Sequence, residues 1–113
     1  MADCLFCRIA AGEIPSDIVL ETPDLIAFRD IDPKAPTHVL VVPRAHFDNI
    51  GDLAREDPAL AASVLQAASD VAQLETLESG YRVVTNVGSD AGQSVNHVHL
   101  HVLGGRSLTW PPG

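Results

Sequence analysis

The sequence predicts an α+β domain built on an antiparallel sheet. Three observations lead there. Five short runs are rich in β-branched and apolar residues. One long stretch carries apolar residues at helical spacing. The first two runs are separated only by Thr22-Pro23-Asp24, a turn signal that makes them a hairpin and therefore antiparallel.

Taken in order, Cys4 to Ala11 reads as a short helix closed by Gly12. Ile18–Glu21 and Leu25–Arg29 are the strands of the hairpin. His38–Val42 is apolar and β-branched between Pro36 and Pro43, and reads as a third strand. Asp57 followed by Pro58 is a helix start, an N-cap with proline at the first helical position. From there Leu60, Val64, Leu65, Val71, Ala72 and Leu74 recur at helical spacing, and the helix is expected to run until Gly80. Tyr81–Asn86 and Val98–Leu103 are the last two strands. No repeat, linker or low-complexity stretch divides the chain, so residues 1–113 are expected to form one domain.

Composition narrows the function. The formal net charge of −8 argues against a non-specific nucleic-acid binder, which needs a basic footprint. A small phosphorylated ligand stays open, because imidazolium and backbone dipoles hold phosphate inside an acidic protein. No apolar run approaches the roughly 20 residues of a membrane span. Met1-Ala2-Asp3-Cys4 places no basic region before an apolar stretch, so no secretory leader is expected and the reading is cytoplasmic.

Chemistry concentrates near the end of the chain. In His97-Val98-His99-Leu100-His101-Val102-Leu103 three of the five histidines alternate with aliphatics. In a strand, side chains two apart share one face, roughly 6–7 Å apart. The imidazoles would then line one face while the aliphatics enter a core. A neutral imidazole offers a nucleophilic lone pair at neutral pH. The same spacing also suits two ligands on one catalytic metal ion, and the residues alone weigh these readings about equally. Gly92-Gln93-Ser94, just upstream, offers close backbone approach, amides and a hydroxyl to a phosphate. Cys4 and Cys7, the only cysteines, are spaced C-x-x-C. In a cytosolic protein this spacing favours metal or redox work over a structural disulfide. With no strand ahead of the pair, metal ranks first.

The block Gly92-Gln93-Ser94-Val95-Asn96-His97-Val98-His99-Leu100-His101-Val102-Leu103 resembles the histidine-triad (HIT) superfamily signature. Phe28-Arg29-Asp30-Ile31-Asp32-Pro33 and Pro36 through His46 resemble the N-terminal half of that family. Gly104-Gly105-Arg106 and Trp110-Pro111-Pro112-Gly113 are similar to its Hint branch, the nucleoside phosphoramidases. The likeness covers nearly the whole chain. It implies a HIT-like five-stranded antiparallel sheet with one long and one short helix, and a homodimer whose sheets join into ten strands. It implies that His99 is the nucleophile, that His101 contacts the phosphate or leaving group, and that His38 sets tautomers within the cluster. Ser94 with Gly92 and Gln93 would cradle the phosphate. Asp30 would hold the ribose hydroxyls, Asn86 would contact sugar or phosphate, and Phe6, Phe28 and Ile31 would form the base pocket. Some members with an N-terminal C-x-x-C hold structural zinc, and the matching residues here are Cys4, Cys7, His46 and His97. Two departures stand out: Arg29 replaces a common histidine beside the ribose site, and Asn96 replaces an aromatic before the triad.

The resemblance thus implies an enzyme that hydrolyses purine nucleoside 5′-phosphoramidates, of the adenosine monophosphoramidate type, through a nucleotidyl-histidine intermediate. The alternatives are dinucleoside polyphosphate hydrolysis or phosphorolysis, a non-enzymatic nucleotide-binding protein, and a metal-handling protein. The tail Trp110-Pro111-Pro112-Gly113 is implied to lie near the partner subunit's active site and to shape its leaving-group side.

Overall fold

The computed structural model describes residues 4–113; the first three residues, on which the leader reading rests, lie outside the described residues. The sheet has five antiparallel strands: β1 (Ile18–Glu21), β2 (Leu25–Arg29), β3 (Thr37–Pro43), β4 (Tyr81–Val84) and β5 (Leu100–Gly104), ordered β1-β2-β3-β5-β4. The α-helices among the described residues are α1 (Leu5–Ala10), α2 (Ile50–Glu56) and α3 (Pro58–Leu74), and Ser89–Ala91 form a short 3-10 turn. The predicted α+β class and the five strands are present. None of the described helices is long and apolar enough to cross a membrane.

Alternation along β3 and β5 separates the two faces of the sheet. On one face Leu25, Ala27, Val39, Val41, Val98, Leu100 and Val102 meet α3 through Ala61, Val64, Ala67, Ala68 and Val71. The alanines let the helix approach closely. Fully buried Val64 and Val71 each contribute about 1.5–3 kcal/mol of apolar burial. On the other face α1 lays Phe6 and Ile9 over Ile26, Phe28, Leu40 and Val42. His38 and His101 belong to that face and sit beside this smaller core.

Four details depart from the sequence reading. Helix α2 was not anticipated. It is seven residues long with one buried side chain, Leu53, too short to show a period, although Asn49 caps it by accepting from Asp52 N–H. Asp57 ends α2 and caps α3, accepting from Leu60 N–H as its Asp-Pro signature implies. Helix α3 stops at Leu74 rather than running to Gly80: the chain reverses at Thr76, whose φ is 54°, and Leu77 N–H turns back to Ala72 C=O. Strand β4 ends at Val84, so Asn86 follows it in a loop.

The fourth concerns the triad. Strand β5 begins at Leu100, so His97 and His99 precede it and only His101 is a strand residue. Leu100, the first residue of β5, ends the pairing with β3, opposite Val41. Extending that register sets Val98 opposite Pro43, which has no N–H to continue the ladder. Val98 N–H turns away to Phe47 C=O instead, at 2.7 Å.

Candidate active site and metal centre

The three triad imidazoles do not do one job. His97 is fully buried and points into a cluster with Cys4, Cys7 and His46. His99 and His101 line a cleft of about 650 Å³ on the α1 side of the sheet. Phe6, Phe28, Leu40, Asp30, Ile31 and Ser94 line the same cleft.

Hydrogen bonds assign the proton on each ring. His99 Nδ1 lies 2.8 Å from His97 C=O, which only accepts. The neutral ring therefore carries its proton at Nδ1 and its lone pair at Nε2. Phe6 packs against His99 at nearly a right angle, ring centroids 4.9 Å apart, and fixes its plane. Thr85 Oγ1 donates to His99 C=O at 3.0 Å, holding the backbone where β4 has ended.

His38 and His101 form a directed chain. Lys34 N–H donates to His38 Nδ1 at 3.0 Å, so the proton of His38 is on Nε2. His38 Nε2–H donates to His101 Nδ1 at 2.9 Å, which leaves the proton of His101 on its own Nε2. The Asp30 carboxylate lies 3.4 Å from His38 Nε2. Burial pushes His101 down to about 4, helped by the neighbouring His99 and His38, and burial also lowers His38. His101 is thus a neutral Nε2–H donor beside the Nε2 lone pair of His99; the two ring centroids are 5.0 Å apart.

The Gly92-Gln93-Ser94 loop leaves fewer free groups than its sequence offers. Gly92 adopts φ of 84°, a left-handed turn that favours glycine. Gly92 N–H donates to Ser89 C=O and Gln93 N–H to Gly88 C=O, so both amides close the loop. The Gln93 side chain accepts from Gly88 N–H and donates to Asp48 C=O and Val95 C=O. Of the three residues, Ser94 alone lines the cleft. Asn86 and His38 lie outside its lining, and Ile31 stands fully exposed at the rim. Asp30 accepts from Asp32 N–H, an Asx turn that leaves its second oxygen toward His38.

Arg29 also lines the cleft, beside Asp30, but its charged end is engaged elsewhere. Its guanidinium forms a two-pronged pair with Glu75 at the end of α3 and lies 3.5 Å from Asp17. Asn96 is exposed in the turn before His97.

The second cluster has the geometry of a metal centre. His97 Nδ1 lies 3.3 Å from Cys4 Sγ, 3.4 Å from Cys7 Sγ and 3.2 Å from His46 Nδ1; Cys7 Sγ is 3.4 Å from His46 Nδ1. The edges of a tetrahedron with bonds of ~2.0–2.3 Å measure about 3.3–3.8 Å. Tautomers agree. His97 Nε2–H donates to Pro43 C=O at 2.8 Å and His46 Nε2–H to the Asp48 carboxylate at 3.1 Å. Both Nδ1 lone pairs then face each other and the two thiols, an arrangement that a shared cation makes favourable. Two sulfur and two imidazole donors fit zinc. Asp30, His38 and His101 also bring three donor atoms together. There the shared N–H of His38 occupies the space a metal needs, so the same test separates the two clusters.

Residues 11–108 match the HIT domain model. The chain belongs to the HIT domain family. A HIT family hydrolase from Legionella pneumophila is 54% identical, with a TM-score of 0.94 over 98% of this chain and all of that one. A HIT family hydrolase from Clostridium thermocellum is 38% identical, with a TM-score of 0.96 over 100% and 99% of the two chains. A 14 kDa zinc-binding protein of Zea mays is 46% identical over 112 residues, 96% of this chain and 87% of its own. The five-stranded antiparallel sheet with its helices is the HIT fold. Within it, Thr85, Asp48, and the Lys34 and Phe47 backbones hold the candidate site residues by hydrogen bonds, and the sequence alone does not mark them. They act through backbone groups or across loops, and no local pattern marks them.

Proposed function

We infer that this HIT protein is a hydrolase that cleaves the phosphorus–nitrogen bond of purine nucleoside 5′-phosphoramidates, adenosine 5′-monophosphoramidate being the type substrate. One observation carries this reading: the His99 ring is tied at Nδ1 to a carbonyl and open at Nε2 to a cleft, beside the Nε2–H of His101. The HIT family hydrolases it resembles support the hydrolase class, and the likeness of Gly104-Gly105-Arg106 and of the Trp110–Gly113 tail to the Hint branch supports the choice of substrate.

In this reading His99 Nε2 attacks phosphorus as the phosphorus–nitrogen bond breaks, and the departing nitrogen takes up a proton from solvent to leave as an amine, or as ammonia from the type substrate. The His97 carbonyl holds Nδ1–H as positive charge develops on the ring. His101 Nε2–H hydrogen-bonds the phosphoryl oxygen or the leaving nitrogen, and Ser94 supplies its hydroxyl to the phosphate. Water then attacks phosphorus, supplies the proton that balances the amine, and releases the nucleoside monophosphate with His99 restored. Asp30 faces the ribose hydroxyls, and Phe6, Phe28 and Ile31 offer apolar surface to the base.

Cys4, Cys7, His46 and His97 hold structural zinc in this reading, remote from the reacting phosphorus and with no position open to substrate; the Zea mays relative is named for zinc binding. Paired thiols kept for metal suit a reducing compartment, the cytoplasm. Strand β4 is a sheet edge with exposed Tyr81 and Val83, which suits edge-to-edge joining of two copies into a ten-stranded sheet.

The test is turnover of a panel of nucleoside phosphoramidates and dinucleoside polyphosphates, with rapid acid-free quench to trap nucleotide on the chain. Preferred cleavage of phosphoramidates with label on His99 is expected. Preference for dinucleotides moves the activity to polyphosphate hydrolysis. Tight nucleotide binding without turnover makes the protein a binding module.

A further inference from the structure

The metal cluster and the catalytic cleft share residues along two separate routes. The first is His97. Its side chain enters the cluster, and its own backbone carbonyl accepts the Nδ1–H that orients His99, at 2.8 Å. The second is Asp48. Its carboxylate accepts from His46, a cluster residue, while its carbonyl accepts from the Gln93 amide at 2.6 Å. Gln93 in turn grips Gly88 N–H at 3.0 Å and Val95 C=O at 3.1 Å, one on either side of Ser94 in sequence. The segment between the routes is thin. Residues 93–99 belong to no helix or strand, and Val98 N–H to Phe47 C=O is the backbone bond that ties it to the loop before α2.

The geometry points to the Cys4–Cys7–His46–His97 centre as the element that sets the nucleophile and the phosphate loop, so that metal occupancy controls turnover rather than stability alone. The inference rests on the zinc and phosphoramidase readings above. Its physical basis is short. A segment with few ladder bonds depends on its remaining anchors; His97 and, through Asp48, His46 are among them. Without a cation their facing Nδ1 lone pairs repel against the single Nε2–H bond that each ring keeps, to Pro43 C=O and to the Asp48 carboxylate. Where that repulsion turns the two rings, His97 C=O and the Asp48 carbonyl shift with them. His99 is then free to exchange its Nδ1–H and Nε2–H tautomers, and the second of these puts a proton where the lone pair must attack. Asp48 and Gln93 act as positioning residues, since neither lines the cleft.

The experiment uses the full chain in three states: zinc-loaded, chelator-stripped, and reloaded with cadmium, whose longer bonds shift His97 without emptying the site. Uptake is followed with cobalt, whose absorption reports tetrahedral thiolate–imidazole ligation. Long-range proton–nitrogen NMR reads the His99 tautomer, and kcat and KM are measured on adenosine 5′-phosphoramidate. We expect a single Nδ1–H tautomer with zinc and a mixture without it. We expect kcat to fall at least tenfold on stripping with KM changed less than threefold, and both effects to reverse on reloading. Gln93→Ala should reproduce part of the kcat loss with the metal retained, and Gln93→Glu, which keeps one acceptor, should recover less than wild type. If the stripped chain unfolds, the cadmium form decides: its His99 nitrogen shifts should move away from the zinc form. Stoichiometric cobalt uptake with an unchanged His99 tautomer and unchanged kcat in the stripped or cadmium form overturns the inference and leaves the zinc reading standing. Failure to take up cobalt or zinc overturns both.

Discussion

His38 Nε2 and His101 Nδ1 lie 2.9 Å apart, and burial keeps both rings neutral at pH 7. Only neutral rings support the donor direction that runs from Lys34 N–H through His38 to the free Nε2–H of His101. Protonating His101 would set two donors against each other at the same bond.

Stability should therefore depend on pH with a defined sign. Unfolded His101 titrates near 6.5 and folded His101 near 4. Between those values the unfolded chain binds more protons, so stability is complete above pH 6.5 and falls as the pH drops toward 4. The loss from His101 is on the order of 3 kcal/mol at most. Urea midpoints at pH 7.5, 5.5 and 4.5 measure it. His101→Asn should flatten the pH dependence relative to wild type; parallel curves for the two proteins would refute the assignment.

His99→Asn should lower kcat by at least about a thousandfold, since nothing else in the cleft presents a free imidazole lone pair. Affinity for adenosine 5′-monophosphate should stay near wild type because Ser94, Asp30 and the apolar floor remain. Near-normal turnover in this variant would remove His99 as nucleophile.

Elemental analysis should find close to one zinc per chain. Stripping it should lower Tm by on the order of 10 °C, because binding to the folded state alone contributes to folding free energy. Cys7→Ser should mimic the stripped protein. A metal-free chain as stable as the replete one would exclude a structural role.

Arg29 and Glu75 make a two-pronged pair at the end of α3, with the Arg29 side chain 41% and the Glu75 side chain 15% exposed. Glu75→Ala should cost about 0.5–1 kcal/mol in denaturant unfolding. KM for ribonucleotide substrates should not change. A large KM change would return Arg29 to the sugar site.

Trp110 is 82% exposed in the single chain, and the Arg82 guanidinium on β4 holds the tail by the Thr109 and Pro112 carbonyls. An aromatic held in place yet uncovered suits a surface that a second copy completes. Sedimentation should show a dimer. Deleting residues 108–113 should change the ratio of turnover across a set of leaving amines more than it weakens binding of the bare monophosphate. An unchanged ratio would free the tail of this role.

Much of this molecule follows from local pattern. The strands of the β1–β2 hairpin, the Asp57-Pro58 start of α3 and the alternation that keeps His38 and His101 on the face opposite α3 were all legible, because periodicity and caps act over a few residues. The candidate residues were legible too, since His-x-His-x-His, C-x-x-C and Gly-Gln-Ser are chemistry written in sequence. The division of labour among the triad histidines was implied by the family resemblance; what the tertiary structure decided was the geometry behind it. Pro43, with no N–H opposite Val98, ends the ladder and frees His97 to turn into the cysteine cluster while His99 turns into the cleft. Arg29 points to Glu75, which is 46 residues away and outside any local window. Gln93 spends its amide on Asp48 instead of on phosphate. Each of these outcomes depends on which distant backbone group lies within hydrogen-bond reach, and that is set only when the sheet and its two covering layers have closed.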